Sequence, residues 1–195
     1  MKRIAEIERK TKETQIRAKL NLDGNGQLEV ATGVGFFDHM LTLMCVHGLL
    51  DLTLEAVGDI HVDAHHTVED VGLVLGEGIS RALGERKGIC RYGHALIPMD
   101  DALAQVAVDL SNRPYLKIVL PKRLPLQNDF DASLAQEFFR ALAIKGGMNL
   151  HIQVPYGENW HHIIEAVFKG LGRALRQAVA KDERASGIPS SKGSL

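Results

Sequence analysis

His65-His66-Thr67-Val68-Glu69 returns as His161-His162-Ile163-Ile164-Glu165, displaced by 96 positions. Four of the nine histidines therefore sit in two identically spaced clusters. The likeness spreads outward from them. At the same displacement Leu54 matches Leu150, Val71 matches Val167, Leu75 matches Leu171, Gly76 matches Gly172 and Ile79 matches Leu175. Nearer the start the displacement is 88, where Ala18-Lys19-Leu20-Asn21-Leu22 faces Val106-Ala107-Val108-Asp109-Leu110. Two displacements imply extra residues in the middle of the second copy, around 122–131. A unit repeated at this length is a supersecondary assembly that buries its apolar face against its copy.

Hydrophobic periodicity assigns the elements of that unit. Residues 16–22 alternate like a half-buried strand and run into Asp23-Gly24-Asn25-Gly26, a strong turn, so 27–32 is expected as the hairpin partner. Phe37, Leu41, Met44 and Leu49 predict a helix over 36–50, followed by a strand over 51–57. Val68, Val71, Leu75, Ile79 and Leu83 predict a second helix over 64–83, whose glycines permit close packing while lowering helix propensity. The order recurs as a strand over 102–111, a partner over 115–120, a helix over 133–145, a strand over 149–154 and a long helix over 159–181.

The expected fold class is α/β, an α+β sandwich. It is an internally duplicated strand-strand-helix-strand-helix unit, with helices packed against mixed or antiparallel sheets. Residues 1–92 form the first unit and 93–195 the second, which ends in a C-terminal tail. Units this short do not usually stand alone, so one compact domain is expected.

Composition narrows the function classes. Lys+Arg total 23 and Asp+Glu total 24, a formal charge of -1 that argues against a general nucleic-acid partner. The first twenty residues mix charges without an apolar signal core, and no later run approaches membrane-spanning length. A cytoplasmic protein with no membrane partner is expected. Cys45 and Cys90 share no CxxC spacing and read as buried thiols in a reducing compartment.

On a helix, residues four apart point the same way, whereas adjacent residues diverge by about 100°. His65 and Glu69 can therefore clasp one ion while His66 looks elsewhere, and His161, Glu165 and His162 repeat the geometry. The expectation is a crossed pair of sites, one from His65, Glu69 and His162, the other from His161, Glu165 and His66. A further ligand is expected from the helix preceding each cluster, His39 before the first and Glu137 before the second, with strand residue His151 as the alternative to Glu137. Imidazole and carboxylate donors without thiolate favour a borderline divalent cation such as Mn, Fe or Zn. His47 and His61 are candidates for contacts around the metal ligands or with substrate.

The full pattern resembles the imidazoleglycerol-phosphate dehydratase family. The likeness is carried by Arg9-Lys10-Thr11-Lys12-Glu13-Thr14, Phe37-Asp38-His39-Met40-Leu41, Asp63 to Asp70, Gly157 to Lys169 and the closing Pro189-Ser190-Ser191-Lys192-Gly193. It implies removal of water from imidazole-glycerol phosphate to give imidazole-acetol phosphate in histidine biosynthesis. Two manganese ions would bind the ring as imidazolate and stabilise a diazafulvene-like intermediate. The resemblance further implies Glu13 as general base near the substrate, Arg91, Arg113, Ser191 and Lys192 around the phosphate, and a 24-subunit homo-oligomer. Some family members carry histidine where this chain has Glu137, and an Asp-Gln pair where it has Thr42-Leu43. Two other readings fit the metal pattern alone: a dinuclear phosphoester hydrolase that uses metal-bound hydroxide, and a metal-stabilised assembly protein.

Overall fold

The computed structural model describes residues 2–121, 130–185 and 187–195, so the insertion expected around 122–131 lies mostly outside the described residues. The first half runs β1 (Ile4–Lys10), β2 (Thr14–Asn21), β3 (Leu28–Ala31), α1 (Gly35–Gly48), β4 (Asp51–Gly58) and α2 (His65–Leu83). The second runs β5 (Tyr92–Met99), β6 (Ala102–Asp109), β7 (Tyr115–Val119), α3 (Ala132–Gly146), β8 (Asn149–Tyr156) and α4 (Trp160–Val179). The sheet orders are β1-β2-β4-β3 and β5-β6-β8-β7, the same topology twice.

Three expectations are corrected. The repeating unit has a leading strand, β1 or β5, that periodicity did not reveal. β1 buries only Ala5 and Ile7, and its outward Glu6 and Glu8 pair with Lys19 and Arg17. A charged edge strand of this kind carries little apolar signal. Second, β2 and β3 are not a hairpin. β4 inserts between them, antiparallel to β2 with Ala18 opposite Leu54 and parallel to β3 with Val30 opposite Leu54. Asp51 explains the change of course: its Oδ1 accepts from the Asn25 and Gln27 amides, turning the chain across β4 rather than back along β2. Likewise β7 is a parallel neighbour of β8, not a partner of β6.

Third, strand register changes the matching of the halves. Ala18 faces Leu54 where Val106 faces Ile152, so Leu54 corresponds to Ile152 rather than Leu150, a displacement of 98. The helix C-caps Leu49 and Gly147, both left-handed, keep that displacement. The value falls to 96 in the histidine helices because the second half has two fewer residues between strand and helix. His39 and Glu137 are therefore topological equivalents, 98 apart.

Each sheet buries one face under helices and exposes the other, as the alternation in β2 and β6 shows. The helix pairs cross between halves: α2 packs on α3 and α1 on α4, giving layers of sheet, helices, helices and sheet. Glycine permits this closeness at the two equivalent crossings. A Cβ on Gly76 would lie 2.7 Å from Leu142 O, and one on Gly172 would lie 2.2 Å from Met44 O. The rings of Phe37, Phe130, Phe138 and Phe168 pack in series with centroids 5.2–5.4 Å apart, tying α1, α3 and α4 together. Cys45 is buried as expected, whereas Cys90, in the connection before β5, is exposed. Among the described residues no helix is long and apolar enough to cross a membrane.

Candidate metal centre

The contact between α1 and α4 assembles three donors. His39, His161 and Glu165 place one ligand atom each within 4.8 Å of one another, the only such group among the described residues. His161 Nε2 lies 3.1 Å and His39 Nε2 3.5 Å from Glu165 Oε2. Local sequence sets up each part. Asn159 caps α4 by accepting from the His161 amide, and Asp38 accepts from the amide and hydroxyl of Thr32, holding the first turn of α1. Phe36 meets the His161 ring edge-on at 5.2 Å. Burial pushes the Glu165 carboxyl up, but hydrogen bonds from Lys169, at 2.5 Å from Oε1, and from His161 outweigh it and hold the group below its usual value. Two imidazole nitrogens and a carboxylate oxygen at this spacing suit a borderline divalent cation.

His39 therefore joins the cluster of the other half, not the His65 cluster that follows it in sequence, because α1 packs on α4. His65 Nε2 stands 3.7 Å from Glu69 Oε2 and opens onto a cavity lined by Phe36, Ile60, Asp63, Phe130 and Ser133. Glu137 is on α3, the helix packed on α2, but its carboxylate is taken by Arg140 at 2.7 and 2.9 Å. His151, the alternative ligand, lies on the exposed outer face of β8 beside Tyr115.

The neighbouring histidines diverge as helix geometry requires. Neither crossed set forms within one chain: each lone histidine is held by a carboxylate of its own half. Asp59 lies 3.0 Å from His66 Nδ1, and Asp101 lies 2.5 Å from His162 Nδ1, leaving both Nε2 atoms directed elsewhere. These hydrogen bonds are the main reason that both imidazoles are held above their usual pKa. Asp101 also accepts from the Glu158 and Asn159 amides, and with His162 these contacts hold it far below the carboxylate range. Sequence reading missed Asp59 and Asp101. The available signal was an acidic residue just after β4 and an Asp-Asp turn between β5 and β6.

Glu13 occupies the turn between β1 and β2. Thr11 Oγ1 accepts from the Glu13 and Thr14 amides, and the Glu13 carbonyl accepts from the Asp59 amide. Its carboxylate stands 3.9 Å from His66 Nε2.

The residues expected around a phosphate gather elsewhere. Arg91 donates to both oxygens of Asp109, at 2.7 and 3.1 Å, and to Pro189 O at 2.7 Å, so it ties down the tail that carries Ser191 and Lys192. Asn112, beside Arg113, reaches the Leu195 carbonyl at 3.5 Å. Tyr92 faces Asp109 at this end of sheet two, while Met99 faces Ala102 next to the Asp101 turn. The eight residues of β5 thus separate Arg91 from the histidine end by about 25 Å. His47 is on the last turn of α1, where burial first and then Lys169 and Arg173 depress its pKa. His61 lies in the turn after β4, and His94 on the outer face of β5.

Comparison with known proteins follows the same lines. The family described as imidazoleglycerol-phosphate dehydratase matches residues 32–175. A protein of that name from Desulforamulus reducens is 58% identical over 195 residues, all of both chains. One from Clostridium botulinum is 55% identical over 192 residues, 98% of each. Among solved structures, the Pyrococcus furiosus protein in complex with (S)-C348 superposes with a TM-score of 0.85 at 38% identity, covering 97% of this chain and 100% of that one. The Staphylococcus aureus protein gives 0.82 at 39%, covering 91% and 99%.

Proposed function

The chain belongs to the imidazoleglycerol-phosphate dehydratase family, and on that premise we propose how its residues carry out the dehydration. It is a carbon–oxygen lyase of histidine biosynthesis that acts on imidazoleglycerol phosphate. The hydrolase and assembly-protein readings give way to this one, since relatives alike over the full chain carry the dehydratase name.

The observation that carries the division of roles is the convergence of His39, His161 and Glu165 across α1 and α4. In our reading they hold one of two Mn2+ ions, and His65, Glu69 and Glu137 hold the other, with Glu137 released from Arg140. His66 and His162 complete the sets of a second copy. When bound, such cations supply Lewis acidity toward the imidazole ring and the charge that develops on it. Glu13 takes the proton from the middle carbon of the three-carbon chain while the hydroxyl on the carbon attached to the ring departs; the proton and hydroxide lost sum to one water, and the resulting enol becomes the ketone. The turn position of Glu13 beside His66 supports this, because a general base must come within about 2.6–3.2 Å, heavy atom to heavy atom, of the atom whose proton it removes, or reach it through one water. Arg91, Arg113, Ser191 and Lys192 bind the phosphate as charge-assisted donors, and His47 lines the approach.

Ring and phosphate of the substrate are joined by three carbons, far too few to link the two ends of β5. That separation supports a site shared between copies of the chain. A 24-subunit homo-oligomer in the cytoplasm, with the tail of one copy closing over phosphate bound at another, is the assembly we favour. The test is metal analysis followed by incubation with imidazoleglycerol phosphate, with Mn2+ restored, and mass measurement of the product. Loss of one water with phosphate retained is expected, together with a requirement for metal. Release of free phosphate would instead restore the hydrolase reading.

A further inference from the structure

The two halves solve one packing problem with different chemistry. In the first, the Asp70 carboxylate on α2 accepts from Thr14 Oγ1 at 2.5 Å and pairs with Arg9 Nε at 2.8 Å. Asp70 and Thr14 are buried, at 7% and 4% exposure. The matching residues of the second half follow from the strand displacement of 88 and the helix displacement of 96. They are Ile97 for Arg9, Ala102 for Thr14 and Ala166 for Asp70. Ala102 and Ala166 are buried and Ile97 packs on the core. The second half thus closes the same strand pair over the same helix without a polar group. The Arg9 side chain is 37% exposed, and a partly exposed ion pair contributes little net stability while the desolvation of its buried partner offsets the attraction. The fold itself does not call for the charge cluster.

What differs is the turn that each corner carries. In the second half it presents Asp101, locked by His162 and two backbone amides. In the first it presents Glu13, whose carboxylate accepts no hydrogen bond from any described residue and is placed only by its backbone. The clamp joins that backbone, at both strand ends, to the helix bearing His66.

We propose that Arg9, Thr14 and Asp70 form a positioning clamp that sets Glu13 at its distance from His66, serving the reaction rather than the fold. The proposal rests on the reading of Glu13 as the base. Positioning errors of an ångström at a general base cost rates steeply.

The second half supplies the test variant. In the full-length, Mn2+-loaded protein, R9I/T14A/D70A copies the apolar corner. We expect unchanged thermal stability and metal content, faster amide exchange over residues 11–14, and a kcat lowered about 10- to 100-fold with KM nearly constant. Thr14→Val removes only the hydroxyl and should give part of the loss, and Thr14→Ser should recover most of it. Glu13→Gln is run in parallel. Should E13Q abolish turnover while the triple variant keeps kcat within twofold, the clamp idea is wrong and the base assignment stands. If E13Q retains turnover, the base assignment fails first. A triple variant that loses its fold also overturns the proposal, since the apolar corner would then not suffice.

Discussion

Glu13 and Asp101 hold the same turn position 88 residues apart, yet Asp101 lies 2.5 Å from His162 Nδ1 while Glu13 stands 3.9 Å from His66 Nε2. In the first half Asp59 has taken over the histidine-holding contact, at 3.0 Å from His66 Nδ1. The duplicated turn has thereby divided its work: one carboxylate orients an imidazole, and the other is left free.

That division predicts different consequences for similar substitutions. Asp59→Asn and Asp101→Asn remove carboxylates that fix ring orientation and tautomer, and such partners are typically worth 10–100-fold in metal affinity. Chelator competition should show weakened Mn2+ binding in both, with the fold intact by circular dichroism. Glu13→Gln should leave Mn2+ affinity within about threefold of the parent while lowering kcat about 10²- to 10⁴-fold. Equal metal affinity in all three variants would refute the division.

The approach of α1 to α4 that permits the metal cluster depends on Gly172. A Cβ there would lie 2.2 Å from Met44 O and 2.9 Å from Gly48 N, backbone atoms that cannot swing aside. Gly172→Ala should cost about 1–3 kcal/mol by overpacking. It should also weaken Mn2+ binding, because His39 is on one helix and His161 and Glu165 on the other. A melting-temperature scan with and without Mn2+ reads both effects, and an unshifted midpoint would contradict the packing argument.

Asp131 caps α3, its Oδ1 accepting from the Ser133 and Leu134 amides at 2.8 and 3.1 Å. The Ser133 hydrogen bond is the leading reason that its carboxyl sits below the usual range. A depressed carboxylate contributes stability that is present above the unfolded value, near about 3.9, and is lost as pH falls through the lower folded value. Asp131→Ala should therefore cost about 1 kcal/mol at neutral pH. Urea melts of parent and variant should converge as pH falls from about 5 to 2.

Asp109 grips Arg91 with both oxygens, and the same guanidinium holds Pro189 O. Asp109→Asn loosens a fixed, multidonor fork and the tail beyond it. In steady-state kinetics KM for the phosphorylated substrate should rise about tenfold or more while kcat changes little, the pattern of lost uniform binding. A fall in kcat at constant KM would place Arg91 outside the phosphate site.

Much of the chain was legible from its residues alone. All four helices and six of the eight strands follow from apolar spacing, and the HHxxE repeat marks candidate ligands by helix geometry, because both signals are local. β1 escaped notice because its outward Glu6 and Glu8 mask two buried residues, and β5 because exposed Leu96 and edge Pro98 blur its alternation. Asp59 and Asp101 escaped because turn acids are common and nothing local says which imidazole they meet.

Sequence by itself determined the duplication, the types of all the elements except β1 and β5, and the divergence of adjacent histidines, all of which follow from side-chain period along one segment. Only the tertiary structure decided that β4 lies between β2 and β3, that His39 joins His161 and Glu165 instead of His65, and that Arg91 stands a strand's length from the histidine end. Those outcomes depend on which helix a glycine allows another to approach and on where Asp51 sends the chain. They are interactions between segments far apart in sequence, which no period within either segment records.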